Sequence, residues 1–211
     1  MTVLSRGTAT ADLVRATAVA VLALVQIVVA GLGGSGAVGE SVGVVANDYA
    51  SPLLAAGWAF AIWGVIYAGF VAYAVYQLLP GQRGRAVHRR TGWWLVASAV
   101  LNPLWILAFS ARLVPLAEVL IIALLVCLAL VFGRLSREPA SGALERVVFR
   151  GVIALYTGWV SVAVVLGTAA TGVWAGLPGS GGLADIAAVV VLAATARRVS
   201  AARDPWRAAF G

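Results

Sequence analysis

The chain has one cysteine, one histidine, no lysine and few acids. The single Cys127 excludes an intramolecular disulfide and a cysteine-rich metal site, and its apolar setting marks it as a lipid- or core-facing small residue. His88 stands among arginines with no Cys or carboxylate neighbour, so it reads as an exposed loop residue rather than a metal ligand. No metal or cofactor is expected. Charged residues make up 11% of the 211 and hydrophobic ones 62%, a balance that excludes an ordinary soluble domain. HExxH, Walker-type and DDxxD-like motifs are all missing, which removes the usual machinery for zinc-dependent hydrolysis, nucleotide binding and prenyl-diphosphate chemistry.

What is present is a series of long apolar runs. The central one, Gly57 to Gln77, is uncharged and 21 residues long. At about 1.5 Å per residue such a helix crosses a hydrocarbon core of roughly 30 Å. On that helix Phe60, Trp63, Tyr67 and Phe70 form an aromatic stripe, and Gly57, Ala61, Gly64 and Ala68 form a small-residue stripe beside it. Small residues let a neighbouring helix approach closely and make a homodimer plausible. The periodicity predicts an all-α polytopic transmembrane bundle in one domain, 1–211. Its six helices are expected at about 13–32, 53–79, 92–110, 114–133, 148–168 and 183–199. The 20 residues from Gly33 to Pro52 read as the longest loop, Pro103 as a kink in the third helix, and Arg112 as a short turn.

All fifteen basic residues are arginines, and with the N-terminus assigned to the cytoplasm fourteen of them fall on that side, Arg112 alone on the other. This is a positive-inside pattern. The expectation is an integral protein of a bacterial inner (plasma) membrane, with both termini cytoplasmic. The net charge of +7 therefore belongs to membrane topology and not to a nucleic-acid partner.

Two acids, Glu118 and Asp185, fall near membrane depth at the start of the fourth and sixth helices, where a carboxylate can be functional or simply cap free amides. Arg112 is close enough in sequence to partner Glu118. Eight tryptophans divide into two groups. Trp58, Trp93, Trp94, Trp174 and Trp206 lie near helix ends as interfacial anchors, while Trp63, Trp105 and Trp159 lie deeper. A buried indole N–H needs a partner, and Asn102, Tyr67, Tyr156 and Ser161 are the candidates. Together they describe an apolar aromatic pocket with a few hydrogen-bonding groups.

Four segments carry a family resemblance. GWAFAIWGVIY (Gly57 to Tyr67) resembles the second-helix signature G-W-x-F-x-x-x-W-x-x-x-Y of the TspO/MBR family, the tryptophan-rich sensory proteins related to the mitochondrial translocator protein. The spacing here is one residue shorter between Phe60 and Trp63. LNPLW (Leu101 to Trp105) resembles its third-helix LNxxW, PLAEVLIIALL (Pro115 to Leu125) the start of its fourth, and YTGWVSVA (Tyr156 to Ala163) its PYxxWVxFA. The chain departs at Leu155, in place of the Pro, and at Leu166-Gly167, in place of an LN pair. It also has a sixth helix beyond the family's five.

The resemblance implies a bundle that binds porphyrins, sterols or similar flat ligands in a pocket open to the first loop. Trp58, Phe60, Trp63, Tyr67, Asn102, Trp105, Tyr156 and Trp159 would line or support it. The expected partners are the lipid bilayer and such a hydrophobic small molecule. Two other classes stand beside this one: an intramembrane enzyme acting on an isoprenoid or tetrapyrrole with Glu118 or Asp185 as acid, and a small-molecule transporter.

Overall fold

A computed structural model describes residues 2–180, with side chains from residue 9. Asp185, Trp206 and the expected sixth helix lie outside them. The described residues are helical: α1 (Thr2–Ser35), α2 (Val42–Asp48), α3 (Ile62–Leu78), α4 (Pro80–Arg83), α5 (Ala86–Ser110), α6 (Val114–Leu135), α7 (Ala143–Glu145) and α8 (Val152–Trp174). A 3-10 turn over Gly57–Ala61 leads into α3, and a π-helical turn over Arg146–Gly151 joins α7 to α8. Among the described residues, five stretches are long and apolar enough to cross a membrane: Ala9–Ser35, Gly57–Leu78, Ala86–Ser110, Val114–Leu135 and Ala143–Trp174.

These five close into a ring. α1 packs on α3 and α5, α5 on α6, α6 on α8, and α8 back on α3. The interior is filled by Ile66, Phe70, Tyr73, Leu95, Ile121, Leu124, Leu128, Phe149, Ile153 and Tyr156, each almost fully buried. Outward positions such as Val65, Val119 and Val126 are exposed and apolar, as lipid-facing residues must be. Pro103 sits inside α5, and the helix runs on to Ser110.

Both ends of the bundle differ from the sequence expectation. The first connection is shifted from the expected Gly33 to Pro52, because α1 continues to Ser35 and the next helical stretch begins at Gly57, and α2 forms within it. Ser41 caps α2 by accepting from Val44 N–H at 3.3 Å. This connection is tied to the α5–α6 corner: Glu40 N–H donates to Ser110 O at 3.0 Å, and a Cβ on Gly39 would lie 2.6 Å from that same oxygen. Gly39 also has φ +124°, so both space and backbone conformation require glycine there. Arg112, at φ 59°, turns the corner and donates to Glu40, Nε to Oε1 at 2.9 Å, and to Asp48 at 2.5 Å. Hydrogen bonding to Glu40, Asp48 and Tyr49 raises its pKa above the usual arginine value. The expected Arg112–Glu118 pair does not form, because Glu40 and Asp48 claim the guanidinium.

At the opposite end, α5 begins at Ala86 and not at Gly92, and the expected exposed loop is helical. His88 is a correction: it is fully buried, its ring centroid 5.2 Å from Phe149 and its Nδ1 3.3 Å from the Tyr73 hydroxyl. The helical turn points it inward while its arginine neighbours meet two buried acids. Asp12 on α1 receives Arg15 at 2.7 Å and Arg89 at 2.5 Å, and Arg15 reaches on to Arg83 O at 2.6 Å. Glu145 receives Arg85 at 2.7 Å and Arg150 at 3.0 Å. Arg15 is 3% exposed, so it is a structural ion of the bundle and more than a flanking charge.

Candidate functional site

The aromatic stripe of α3 and its 3-10 entry meets α5 and α8 at the Arg112 end of the bundle. Trp63 is stacked on Tyr67 of its own helix, with centroids 5.6 Å apart, and on Trp105 of α5, also at 5.6 Å. Tyr156 and Trp159 of α8 meet Trp63 edge-on at 6.0 and 6.3 Å. Phe60 meets Trp159 edge-on at 6.2 Å, and Phe109 continues the stack from Trp105 at 6.0 Å. Stacked and edge-on contacts of this kind add roughly 0.5–1.5 kcal/mol per pair beyond burial, so the cluster is a rigid wall.

Two chambers share that wall. The larger, 300 Å³, lies between α1, α2 and the 3-10 entry to α3, lined among others by Ala30, Gly43, Asn47, Phe60, Tyr67 and Trp105. The smaller, 50 Å³, lies deeper toward α6 and α8, where Val114, Glu118, Trp159 and Gly167 border it. Trp63, Trp105, Phe60, Val42, Ala46 and Leu54 line both. The α2 connection held by Arg112 therefore roofs the site, and its position depends on the Glu40 and Asp48 contacts. Residues of the first connection are part of the wall, which periodicity in the helices alone does not reveal.

Of the residues singled out in the sequence, Phe60, Trp63, Tyr67, Trp105 and Trp159 line a chamber. Asn102 and Tyr156 stand behind the wall. Tyr67 donates to Asn102 Oδ1 at 3.1 Å, and Tyr156 donates to Gln26 Oε1 of α1 at 3.3 Å. Trp58 is 83% exposed and borders neither chamber. The expected indole partners are otherwise engaged: Asn102 meets Tyr67, and Ser161 donates to Thr157 O at 2.8 Å in its own helix. Gln26 was the only uncharged amide in the first apolar run, and that polarity was the available sign of its role.

Glu118 does not cap its helix. Its Oε1 lies 2.6 Å from the Thr168 hydroxyl of the neighbouring α8. Cys127 is buried in α6, as its apolar setting suggested. No cluster of His, Cys, Asp and Glu suited to a metal ion occurs among the described residues.

A family model described as TSPO-like protein matches residues 16–202. The chain belongs to the TSPO-like protein family. No curated protein and no solved structure matches it. With five apolar spans in a closed ring, this TSPO-like chain is an integral membrane protein. The match extends past the described residues, so the region of Asp185 belongs to the TSPO-like unit as well.

Proposed function

We propose that this protein binds a flat hydrophobic molecule of the porphyrin, sterol or isoprenoid kind between α1, α2, α3 and α5, as a membrane receptor or sensor. The observation that carries this reading is the Trp63–Trp105 stack forming one face of a 300 Å³ chamber inside an apolar bundle. Ligand sites typically measure about 300–1,000 Å³ and pair apolar walls with few polar groups. The chamber is at the small end of that range, and its roof is a connection held by side-chain contacts, which lets it widen as a ligand enters. A stacked indole pair offers a planar ligand large contact area at little entropic cost.

Tryptophan fluorescence of the detergent-purified chain, titrated with protoporphyrin, tests the reading. The expected result is saturable quenching, weakened about tenfold or more in a Trp63→Phe/Trp105→Phe variant. Quenching that stays linear and equal in both proteins would reduce the aromatics to packing. Retention of porphyrin without turnover or flux in proteoliposomes would set binding apart from the enzyme and transporter classes.

A further inference from the structure

The arginine-rich end of the bundle holds a cleft that the aromatic site does not use. It measures 520 Å³ and lies between the start of α1, the α4 turn and the start of α5. Asp12, Leu13, Pro80, Arg83, Gly84 and Arg89 are among its lining. These residues flank the near ends of three apolar spans, at Ala9, Leu78 and Ala86. The cleft is therefore at the depth where hydrocarbon gives way to headgroups.

Its charge is unbalanced. Asp12 is the acid in its lining, and both carboxylate oxygens are already spent. Oδ1 accepts from Arg15 Nη1 at 2.7 Å and from Arg89 Nε at 3.0 Å, and Oδ2 accepts from Arg89 Nη2 at 2.5 Å. Arg15, Arg83 and Arg89 thus stand against one carboxylate. A guanidinium has more N–H donors than one such contact uses. Arg89 gives Asp12 its Nε and Nη2, while its Nη1 has no partner among the described residues, on a side chain 48% exposed. The Arg83 guanidinium makes neither an ion pair nor a hydrogen bond among the described residues. Its backbone is nonetheless held, because its carbonyl accepts from Arg15 Nη2 at 2.6 Å. A Cβ on Gly84 would stand 3.7 Å from Arg89 Nη2 and 3.8 Å from Asp12 Oδ2, so the glycine keeps the space beside the pair clear. Nearby arginines are occupied elsewhere, Arg85 by Glu145 and Arg90 by Glu138.

Unspent guanidinium donors at headgroup depth fit a phosphate, whose oxygens match the arginine fork. The rim decides the source of that phosphate. Leu13 lines the cleft and is exposed, and Val21, Leu24 and Val28 continue its lipid-facing side along α1. Leu79, beside Pro80, is exposed on the opposite lip. A soluble anion would use the arginines and leave this apolar track idle, whereas a phospholipid uses both. A zwitterionic headgroup would bring its own cation against the arginines. We infer that the cleft seats the headgroup of an anionic phospholipid. Arg83 and Arg89 Nη1 receive the phosphate, and the acyl chains descend along the Leu13 side of α1.

Native mass spectrometry of the full detergent-purified chain, offered equimolar phosphatidylglycerol and phosphatidylcholine of identical chains, tests this. The expected result is one retained phosphatidylglycerol, favoured about tenfold over phosphatidylcholine. Arg83→Gln should cut that preference about fivefold, the share of one arginine near an anionic surface. Arg137→Gln removes an arginine that also has no described ion pair but lies outside the cleft, and should leave the preference unchanged. Excess glycerol phosphate should not displace the lipid. Equal retention of the two lipids overturns the assignment. Equal losses in the two variants also overturn it, by reducing the effect to diffuse charge. Displacement by glycerol phosphate would make the cleft a soluble-anion site and overturn the lipid assignment. Should Arg83→Gln fail to fold, the wild-type preference and the glycerol phosphate competition still decide.

Discussion

Tyr67 and Asn102 meet across the interior of the bundle, the phenol donating to the amide oxygen at 3.1 Å from a helix that is not a ring neighbour of α5. The contact fixes the floor behind the Trp63–Trp105 stack. It also leaves Asn102 Nδ2 buried without a partner among the described residues, so the amide depends on Tyr67 for its one described side-chain bond. Tyr67→Phe removes the donor and strands the amide oxygen, a loss of about 1–3 kcal/mol for an unmet buried group. In a membrane bundle the lower end is expected, because unfolded helices find other partners. Adding Asn102→Leu should recover part of the loss, since an apolar pair leaves nothing unmet. Thermal unfolding of the two single variants and the double variant in detergent measures the coupling, and strict additivity would dismiss it.

Asp12 sets a second expectation at the other end. It holds Arg15, which is 3% exposed, and Arg89, whose side chain is 48% exposed. Asp12→Asn keeps the shape and withdraws the charge, leaving Arg15 buried beside a neutral amide. Breaking a buried pair from one side costs about 3–5 kcal/mol, and the half-open position of this network places the expected loss near or below the lower figure. Arg90→Ala, which breaks an exposed pair with Glu138, should shift the unfolding midpoint little by comparison. Equal shifts in the two variants would deny the Asp12 network its structural role.

How far the sequence leads is visible in such pairs. The five described spans follow from long apolar runs, because the bilayer imposes a minimum length that composition satisfies in few ways. Phe60, Trp63, Trp105 and Trp159 follow from helical spacing, since ring positions three and four apart share a face. Trp58 obeys the same motif and lies outside the chambers, because the 3-10 turn Gly57–Ala61 rotates differently from an α-helix. His88 was lost to its neighbours: four arginines nearby imply solvent, and only the tertiary fold shows that Asp12 and Glu145 draw theirs aside. The roof over the site was equally hidden. Glu40, Asp48 and Arg112 are 64 or more positions apart in pairing, and nothing local specifies who partners whom.

The roof yields a kinetic expectation. Arg112 pairs with both Glu40 and Asp48, and no other described salt bridge joins the α2 connection to the α5–α6 corner. Exposed ion pairs contribute little to global stability, so Arg112→Ala should leave the unfolding midpoint nearly unchanged. Local opening is another matter, because such segments have their own opening equilibria. Amide hydrogen exchange over Val42–Asp48 should speed severalfold in the variant, and porphyrin association should accelerate with it. Raised salt should do the same to the parent protein by screening the pairs. Unchanged exchange over α2 would assign the roof to backbone contacts such as Glu40 N–H to Ser110 O.

Gly92 on α5 gives the last expectation. A side chain there would collide with the aliphatic part of Arg15, which crosses the helix to reach Asp12 and Arg83 O. The glycine is weak in a helix interior, by about 1 kcal/mol against alanine, so Gly92→Ala would stabilise the chain if space were free. Space is not free, and Arg15 is locked at both ends of its guanidinium, so it cannot swing aside without abandoning Asp12. The variant is therefore expected to destabilise despite its better propensity, whereas Gly133→Ala on α6, where an added Cβ meets nothing within 4 Å, should stabilise or stay neutral. Opposite signs in the two unfolding midpoints are the test. A stabilising Gly92→Ala would mean that Arg15 has room to move and that the Asp12 network is looser than its distances.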